Sequence, residues 1–473
     1  MKFCVKVWGC QMNVYDSDRV RTALALRGWE EIPPEREDEA ELILITGCSV
    51  RAKAEQKVWS EIGRYEQSWK KDRRPTIALT GCVAQSRAWD GETPLGRKAM
   101  SRFPWVRLVS GPRHIGLLPD GLERIMNEPK ARLDLLDTDP REFYDMPVSE
   151  GGITARRENK YKAYVTIAYG CDNFCTYCIV PYVRGRFLSR PRCDILNEVR
   201  ALVDDGVREV TLLGQNVNSY GKDFPENNGS PAFASLLRDV ARIDGLSRVR
   251  FVTSLPQDFT RDIVDVMAEE PAVCPSLNLP IQAGSDRILK LMNRKYTRAE
   301  YIEKVEMVRS ALPELGLTTD LIVGFPGETD EDFEASLSAL DEIRFDLVHS
   351  AAYSEREGTP AATMQGALPV KTRLERLTRL NDVQDAITLS INKSLTGKVY
   401  EVLVDGFAPK GEGLLQGRTP TDKVVIFQGD KELIGQFVKA EIIEAESWCL
   451  HGRILDGAEG ENRTPTAVKP QDP

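Results

Sequence analysis

Gly170-Cys171-Asp172-Asn173-Phe174-Cys175-Thr176-Tyr177-Cys178 sets three thiols in a C-x-x-x-C-x-x-C spacing, directly after an apolar, β-prone run from Tyr161 to Tyr169. Three thiolates this close can wrap one metal centre, and three ligands for a four-iron cube leave one iron without a protein ligand. An open coordination position is what a catalytic centre needs. A zinc knuckle would want a fourth Cys or His nearby, yet the chain holds only His114, His349 and His451, none close in sequence. Ten cysteines in 473 residues and the odd local number disfavour a disulfide framework. Electron-transfer ferredoxins use a different spacing, C-x-x-C-x-x-C with a further Cys before Pro.

This motif, with aromatic Tyr177 before its last Cys, resembles the signature of the radical S-adenosylmethionine (SAM) enzymes. The resemblance implies that the open iron is chelated by the amino and carboxylate groups of SAM. One electron from the cluster then cleaves the sulfonium to a 5′-deoxyadenosyl radical, with Tyr177 packed near the adenine. The radical chemistry belongs to the cofactor, and the protein contributes placement, dryness and electronic tuning.

The first 120 residues repeat a second pattern. Three apolar runs each end on Gly-Cys: Phe3 to Trp8 before Gly9-Cys10, Leu42 to Thr46 before Gly47-Cys48, and Ile77 to Thr80 before Gly81-Cys82. Helical stripes lie between them, Val20, Ala23 and Leu24 in the first interval and Val58, Ile62, Tyr65 and Trp69 in the second. A β-α-β-α-β alternation favours a parallel sheet, whose strand ends gather at one edge, where open α/β sheets bind ligands. Cys10, Cys48 and Cys82 should therefore meet. One such cysteine alone is usually a small buried hydrophobe. Three at the same strand-end position read as ligands of a second iron-sulfur cluster, again with one open iron, and the preceding glycines allow close backbone approach.

Trp105 to Ser110 and Ile115 to Met126 close this α/β region, expected as residues 1–126. Residues 127–156, rich in charge, Pro and Gly, read as a linker. Six β/α units follow in residues 157–388, with strands at Ala163 to Ala168, Val207 to Leu213, Val249 to Thr253, Ser276 to Ile281, Thr318 to Val323 and Asp346 to Tyr353. They predict an open barrel related to the eight-unit kind, with its active site at the C-terminal strand ends, where the cysteine loop sits. Two more strand-end loops, Gly214-Gln215-Asn216 and Gly324 to Thr329, are candidate cofactor contacts. Residues 389–456 show short strands between turns, expected as a small β-barrel after a helix at Thr372 to Leu395. Residues 457–473 read as a disordered tail. The fold class is thus α/β, with a parallel-sheet domain, a partial (β/α)6 barrel and a C-terminal β-barrel.

Net charge is −9, which argues against indiscriminate nucleic-acid binding. Around the cysteine loop the sign inverts: Arg156, Arg157, Lys160, Lys162, Arg184, Arg186, Arg190 and Arg192 face only Glu158 and Asp172. Charge runs usually mark a solvated face, but this one lies beside the candidate active site, so Arg184, Arg186, Arg190 and Arg192 are expected to meet phosphates. With 41% apolar and 29% charged residues and no membrane-length apolar run, a soluble cytoplasmic protein without a secretory leader is expected.

Strand-end cysteines, the C-x-x-x-C-x-x-C barrel and the terminal small barrel together resemble the methylthiotransferases, in the order cluster domain, radical SAM core and TRAM domain. Gly9-Cys10-Gln11-Met12-Asn13, Thr46-Gly47-Cys48-Ser49-Val50-Arg51, Leu212-Leu213-Gly214-Gln215-Asn216-Val217-Asn218 and Leu279-Pro280-Ile281-Gln282-Ala283-Gly284-Ser285 carry a resemblance to the MiaB type. Arg184-Gly185-Arg186-Phe187 departs from that pattern where an acidic residue is expected. The resemblance implies transfer of a methylthio group to C2 of an isopentenylated adenosine beside a tRNA anticodon. It also implies two 4Fe-4S clusters, two SAM, an electron donor such as flavodoxin or ferredoxin, and a sulfur source. A sibling acting on threonylcarbamoyladenosine of tRNA or on a ribosomal protein, and a non-catalytic iron-sulfur RNA-binding or redox-sensing protein, are the alternatives.

Overall fold

The computed structural model describes residues 1–50, 52–68, 75–86, 93–136, 143, 145, 157, 159–411 and 413–455. Trp69, most of the expected linker with Gly151-Gly152, Arg156 and the tail 457–473 lie outside the described residues. The chain divides into two compact units, Met1–Ile387 and the part that begins at Thr388.

The first unit opens with strands β1 (Lys2–Trp8), β2 (Glu30–Glu31), β3 (Leu42–Gly47), β4 (Thr76–Thr80), β5 (Val106–Ser110) and β6 (Leu133–Leu135) in the order β2-β1-β3-β4-β5-β6. All neighbours pair in parallel, with Phe3 opposite Leu42 and Thr46 opposite Thr80. Every residue of β3 is buried, as a parallel strand covered by helices on both faces requires. Ile43, Ile45, Ile77 and Leu79 pack under Val58, Ile62 and Tyr65 of the helix Ala52–Ser68 on one side. Leu42, Leu44 and Ala78 pack under Val20, Leu24, Leu118 and Leu122 of the helices Gln11–Leu26 and Leu118–Asn127 on the other. The strand order reverses direction between β1 and β3, and such a switch point is where open α/β sheets bind ligands. β6 falls within the stretch expected to be linker and instead extends the sheet.

The barrel strands are β7 (Lys162–Thr166), β10 (Glu209–Leu213), β11 (Arg248–Val252), β12 (Ser276–Asn278), β13 (Gly316–Val323) and β14 (Leu347–Ala352). They form two three-stranded parallel sheets, β7-β10-β11 and β12-β13-β14. A single bridge, Val249 to Val273, and a Cys274 amide donating to the Val249 carbonyl at 2.9 Å join them. The expected strand Ala163 to Ala168 breaks at Ile167, because its end pairs elsewhere. β8 (Ala168–Tyr169) and β9 (Leu188–Ser189) form a short antiparallel clasp around the cysteine loop.

In the second unit β15 (Val399–Phe407), β16 (Leu414–Arg418), β17 (Val424–Gln428), β18 (Phe437–Ala445) and β19 (Leu450–Ile454) close into a barrel, ordered β15-β16-β17-β19-β18. Alternating residues fill it, among them Val402, Val404, Leu415, Val425, Phe427, Val438, Ala440, Ile442 and Leu450. Between β17 and β18, Lys431–Leu433 forms a single helical turn, and β18 begins at Phe437.

Candidate cluster sites

At the switch edge of the first sheet, Cys10 caps the helix Gln11–Leu26 with extended backbone. The Cys48 amide donates to the Trp8 carbonyl at 2.9 Å, tying the end of β3 to that of β1. Gly81 lies at φ +88, and a side chain there would come 2.7 Å from the Gly47 carbonyl oxygen. Glycine at this position lets the β3 and β4 ends close up, bringing Cys82 to Cys48. Burial pushes the Cys82 thiol up to about 12 against the opposing pull of the Arg184 guanidinium, and Cys48 and Cys10 push it further. With the ends of β1, β3 and β4 adjoining, Cys10, Cys48 and Cys82 stand at one edge of the sheet.

In the barrel, the loop leaves β8 through Gly170 at φ +66, where a β-carbon would meet the Arg186 carbonyl oxygen at 2.2 Å. The Cys171 amide donates to the Gly185 carbonyl at 3.2 Å, and Cys178 to the Cys175 carbonyl at 2.9 Å. Asn173 Nδ2 donates to Cys171 Sγ at 3.2 Å. From below, Asn293 Nδ2 donates to the Phe174 carbonyl at 3.0 Å and Thr176 Oγ1 to the Leu291 carbonyl at 2.9 Å. Burial raises the Cys178 thiol to about 12, with Cys175 next in effect.

Both sets suit iron-sulfur clusters by their donor chemistry. Burial raises the thiols of Cys82, Cys171 and Cys178, and coordination by a metal deprotonates such thiols outright. Beside the first set, Asn13 Nδ2 and Ser49 Oγ are buried with no hydrogen-bond partner among the described residues, which leaves N–H and O–H donors for cluster sulfur. Neither residue was singled out from sequence, because Asn and Ser next to a Gly-Cys step also suit an ordinary turn.

The two sets are neighbours. Cys82 packs on Ile179 and Val183, just after the barrel cysteines. Cys10 and Val252 both pack against the cluster of Met12, Tyr15, Tyr169 and Leu213, an apolar collar joining the sheet edge to the barrel mouth.

The arginines expected at an RNA surface divide. Arg184 and Arg190 are each only 3% exposed, which corrects the reading of them as phosphate contacts. Arg184 donates from Nε to Cys82 Sγ at 3.2 Å, and from Nη2 to Asn13 Oδ1 at 2.9 Å and Asp16 Oδ2 at 3.3 Å. Arg190 donates to the Thr166 carbonyl at 2.7 Å and pairs with Glu198 at 2.8 Å, while Tyr15 accepts from it at 3.0 Å. A buried guanidinium needs such partners, and here they come from both α/β parts. Arg192 is half-buried and held by Asp239 and by Ser235 Oγ at 2.9 Å. Arg186 alone is well exposed, paired with Asp172 at 2.8 Å and stacked 5.3 Å from the Phe174 ring.

Of the candidate SAM contacts, Tyr177 accepts a hydrogen bond from Arg294 Nη2 at 2.8 Å and lies under that guanidinium. The Gly214 amide is used by the Val252 carbonyl at 3.1 Å. Gln215 reaches across to the sheet domain, its Nε2 2.6 Å from Met12 Sδ. Ser254, just past the end of β11 and with its Oγ buried without a partner among the described residues, and Arg294, between the helices Asp286–Leu291 and Arg298–Ala311, carried no sequence signal.

Residues 165–340 match the model of the radical SAM superfamily, residues 2–99 that of the uncharacterized protein family UPF0004, and residues 393–455 that of the TRAM domain. A solved radical S-adenosylmethionine methyltransferase, TsrM from Kitasatospora setae, resembles the fold with a TM-score of 0.54 at 14% identity, covering 88% of this chain and 77% of that one. The tRNA-2-methylthio-N(6)-dimethylallyladenosine synthase of Carboxydothermus hydrogenoformans is 44% identical over 94% of this chain and 98% of its own. The protein of that name from Aquifex aeolicus is 43% identical over 96% and 99%. Identity at this level across sheet, barrel and terminal domain together leads to one conclusion: the chain belongs to the tRNA-2-methylthio-N(6)-dimethylallyladenosine synthase family.

Proposed function

We propose that this chain converts N6-isopentenyladenosine beside the anticodon of tRNA to its 2-methylthio derivative, using two SAM molecules and two 4Fe-4S clusters. One cluster would be held by Cys171, Cys175 and Cys178, the other by Cys10, Cys48 and Cys82. Bound there, the clusters and SAM supply reductive cleavage of the sulfonium on the barrel side and a transferable sulfur on the sheet side.

The observation that supports this reading is the packing of Cys82 against Ile179 and Val183, which brings one strand-end cysteine of the sheet next to the segment that follows the barrel cysteines. A single base can then meet both trios. The chain's own part is positional. Arg184 holds the Cys82 sulfur with a charged N–H, and Asn173 does the same for Cys171 with a neutral one. Leu213, Val252, Met12 and Tyr15 exclude water from the space between, which protects reactive species from quenching. At the rim, Phe174 and Tyr182 are exposed and stand edge to face at 6.4 Å, with Arg186 against Phe174. Exposed rings beside a cation suit an unstacked loop base and its phosphate, and the target adenosine lies in such a single-stranded loop.

Tyr177, Gly214 and Gln215 are the proposed SAM contacts, and the closed terminal barrel is a second grip on tRNA. No described helix is long and apolar enough to cross a membrane, and the cytoplasm is the proposed site of action, where tRNA and a flavodoxin or ferredoxin reductant are found together. A sulfur source is needed for repeated turnover. Mass spectrometry of tRNA nucleosides from cells with and without the gene tests the reading. The methylthio nucleoside should vanish and its isopentenyl precursor accumulate. Loss of a methylthiolated threonylcarbamoyladenosine instead would redirect the substrate.

A further inference from the structure

The terminal barrel carries a ligand set unrelated to the cysteine trios. Between β18 and β19 the chain turns through Glu446-Ser447-Trp448-Cys449, and the Glu446 amide donates to the Cys449 carbonyl at 2.9 Å. Asn392 Nδ2 donates to the Glu446 carbonyl at 2.8 Å, so the turn is also held from its flank. Cys449 immediately precedes β19 and His451 lies two residues on, within it. There they meet Glu446: Cys449 Sγ lies 3.7 Å from Glu446 Oε2 and 3.9 Å from His451 Nε2, and His451 Nε2 lies 3.2 Å from Glu446 Oε1.

With one ligand atom taken from each residue, the three donors lie within 4.8 Å of one another, close enough to share one ion. Usual zinc bond lengths and tetrahedral angles give edges of about 3.6 Å from sulfur to nitrogen, about 3.6 Å from sulfur to carboxylate oxygen and about 3.4 Å from nitrogen to oxygen. The sulfur-to-nitrogen edge, at 3.9 Å, agrees to a few tenths of an ångström, and the carboxylate offers one oxygen toward each of the other two donors. Sulfur, imidazole and carboxylate together select a borderline transition ion over calcium or magnesium. One thiolate and one carboxylate also neutralise a divalent charge. His451 is one of only three histidines in the chain, and among the described residues it groups with a cysteine and an acid.

We propose that Glu446, Cys449 and His451 bind one zinc-class divalent ion, with the fourth position open to solvent on the exposed Glu446 side. The ion would cross-link the two ends of the hairpin turn from which Trp448 stands exposed. The alternative is a hydrogen-bonded trio in which thiol and imidazole both serve the carboxylate. The two differ in metal content.

Full-length, iron-reconstituted protein equilibrated with zinc chloride and freed of excess by gel filtration should retain about one zinc per chain. The zinc X-ray absorption edge should report one sulfur neighbour at about 2.3 Å. Cys449→Ala and His451→Ala should each cut retained zinc at least tenfold with iron unchanged. Glu446→Gln, exposed and nearly isosteric, should weaken zinc retention against a chelator while leaving the barrel folded, and serves if the other variants are unstable. A wild-type chain that retains no zinc, or zinc that persists unchanged in these variants, overturns the site.

Discussion

Arg184 Nε donates to Cys82 Sγ at 3.2 Å, so the loop that follows the barrel cysteines reaches into the sheet's own cysteine set. The same guanidinium is the ion-pair partner of Asp16, whose burial pushes its carboxyl pKa up while Arg184 opposes the rise. One side chain thus serves a buried acid and a buried thiol together.

Replacing Arg184 by Met should therefore do two things. It strands Asp16, which for a broken buried pair costs about 3–5 kcal/mol. It also removes a positive N–H donor from the Cys82 sulfur, which should lower the reduction potential of the sheet cluster, since hydrogen bonds to sulfur and local charge set it. Arg184→Lys keeps the charge without the planar fork and should fall between. Thermal melting and a spectroelectrochemical titration check the two effects separately. An unchanged potential in Arg184→Met would detach the arginine from the cluster.

Gly170→Ala should destabilise the cysteine loop by about 2 kcal/mol or more, through a strained backbone and a collision with the Arg186 carbonyl. Gly206 shares the left-handed backbone, at φ +95, but has nothing within 4 Å of a built β-carbon. Gly206→Ala should cost only the conformational part, about 1 kcal/mol. Urea midpoints and iron content of the pair test whether close approach, rather than backbone alone, fixes Gly170.

At the rim, Arg186→Ala should weaken tRNA binding and flatten its dependence on salt, since one phosphate contact is lost. Phe174→Ala should weaken binding by about 1–3 kcal/mol with little change in salt slope, because stacking is not ionic. Binding isotherms across a salt series separate the two. Equal behaviour of both variants and wild type would move the RNA surface elsewhere.

Much of this was legible in the sequence, and the failures have physical causes. The Gly-Cys step after each apolar run locates the sheet edge, because the parallel strands of an α/β sheet share one C-terminal edge. The six barrel strands follow from the same alternation. The basic run misled for a related reason. Arg184 and Arg190 look like a solvated or RNA-facing stripe until their partners, Asp16, Tyr15 and Glu198, arrive from distant parts of the chain. Helices at Arg261–Glu269 and Asp286–Leu291 escaped because neither is long enough for its period to stand out. The edge strands β2 and β6 are too short to carry a pattern.

Acid should loosen the sheet domain before function is touched directly. Burial by itself pushes Glu61 up, but hydrogen bonds from Arg64 and Lys6 outweigh it and hold the carboxyl at about 2, below its usual 4.5. A depressed carboxylate adds stability above its unfolded pKa and loses it as pH falls through the folded one. That stability is thus present above pH 4.5 and lost toward about 2. Glu61→Gln should lower stability at neutral pH and flatten the acid limb over that window, read from urea midpoints against pH. An identical acid limb in the variant would show that the pair contributes nothing.

The central claim is that Cys10, Cys48 and Cys82 hold a cluster of their own beside a separate radical-generating one. The triple Ala variant tests it most directly, assayed anaerobically for iron, SAM cleavage and methylthiolated adenosine. It should retain about four of about eight irons, still release 5′-deoxyadenosine when reduced, and make no methylthio product. A folded triple variant that keeps all its iron and still makes the methylthio nucleoside would contradict the account.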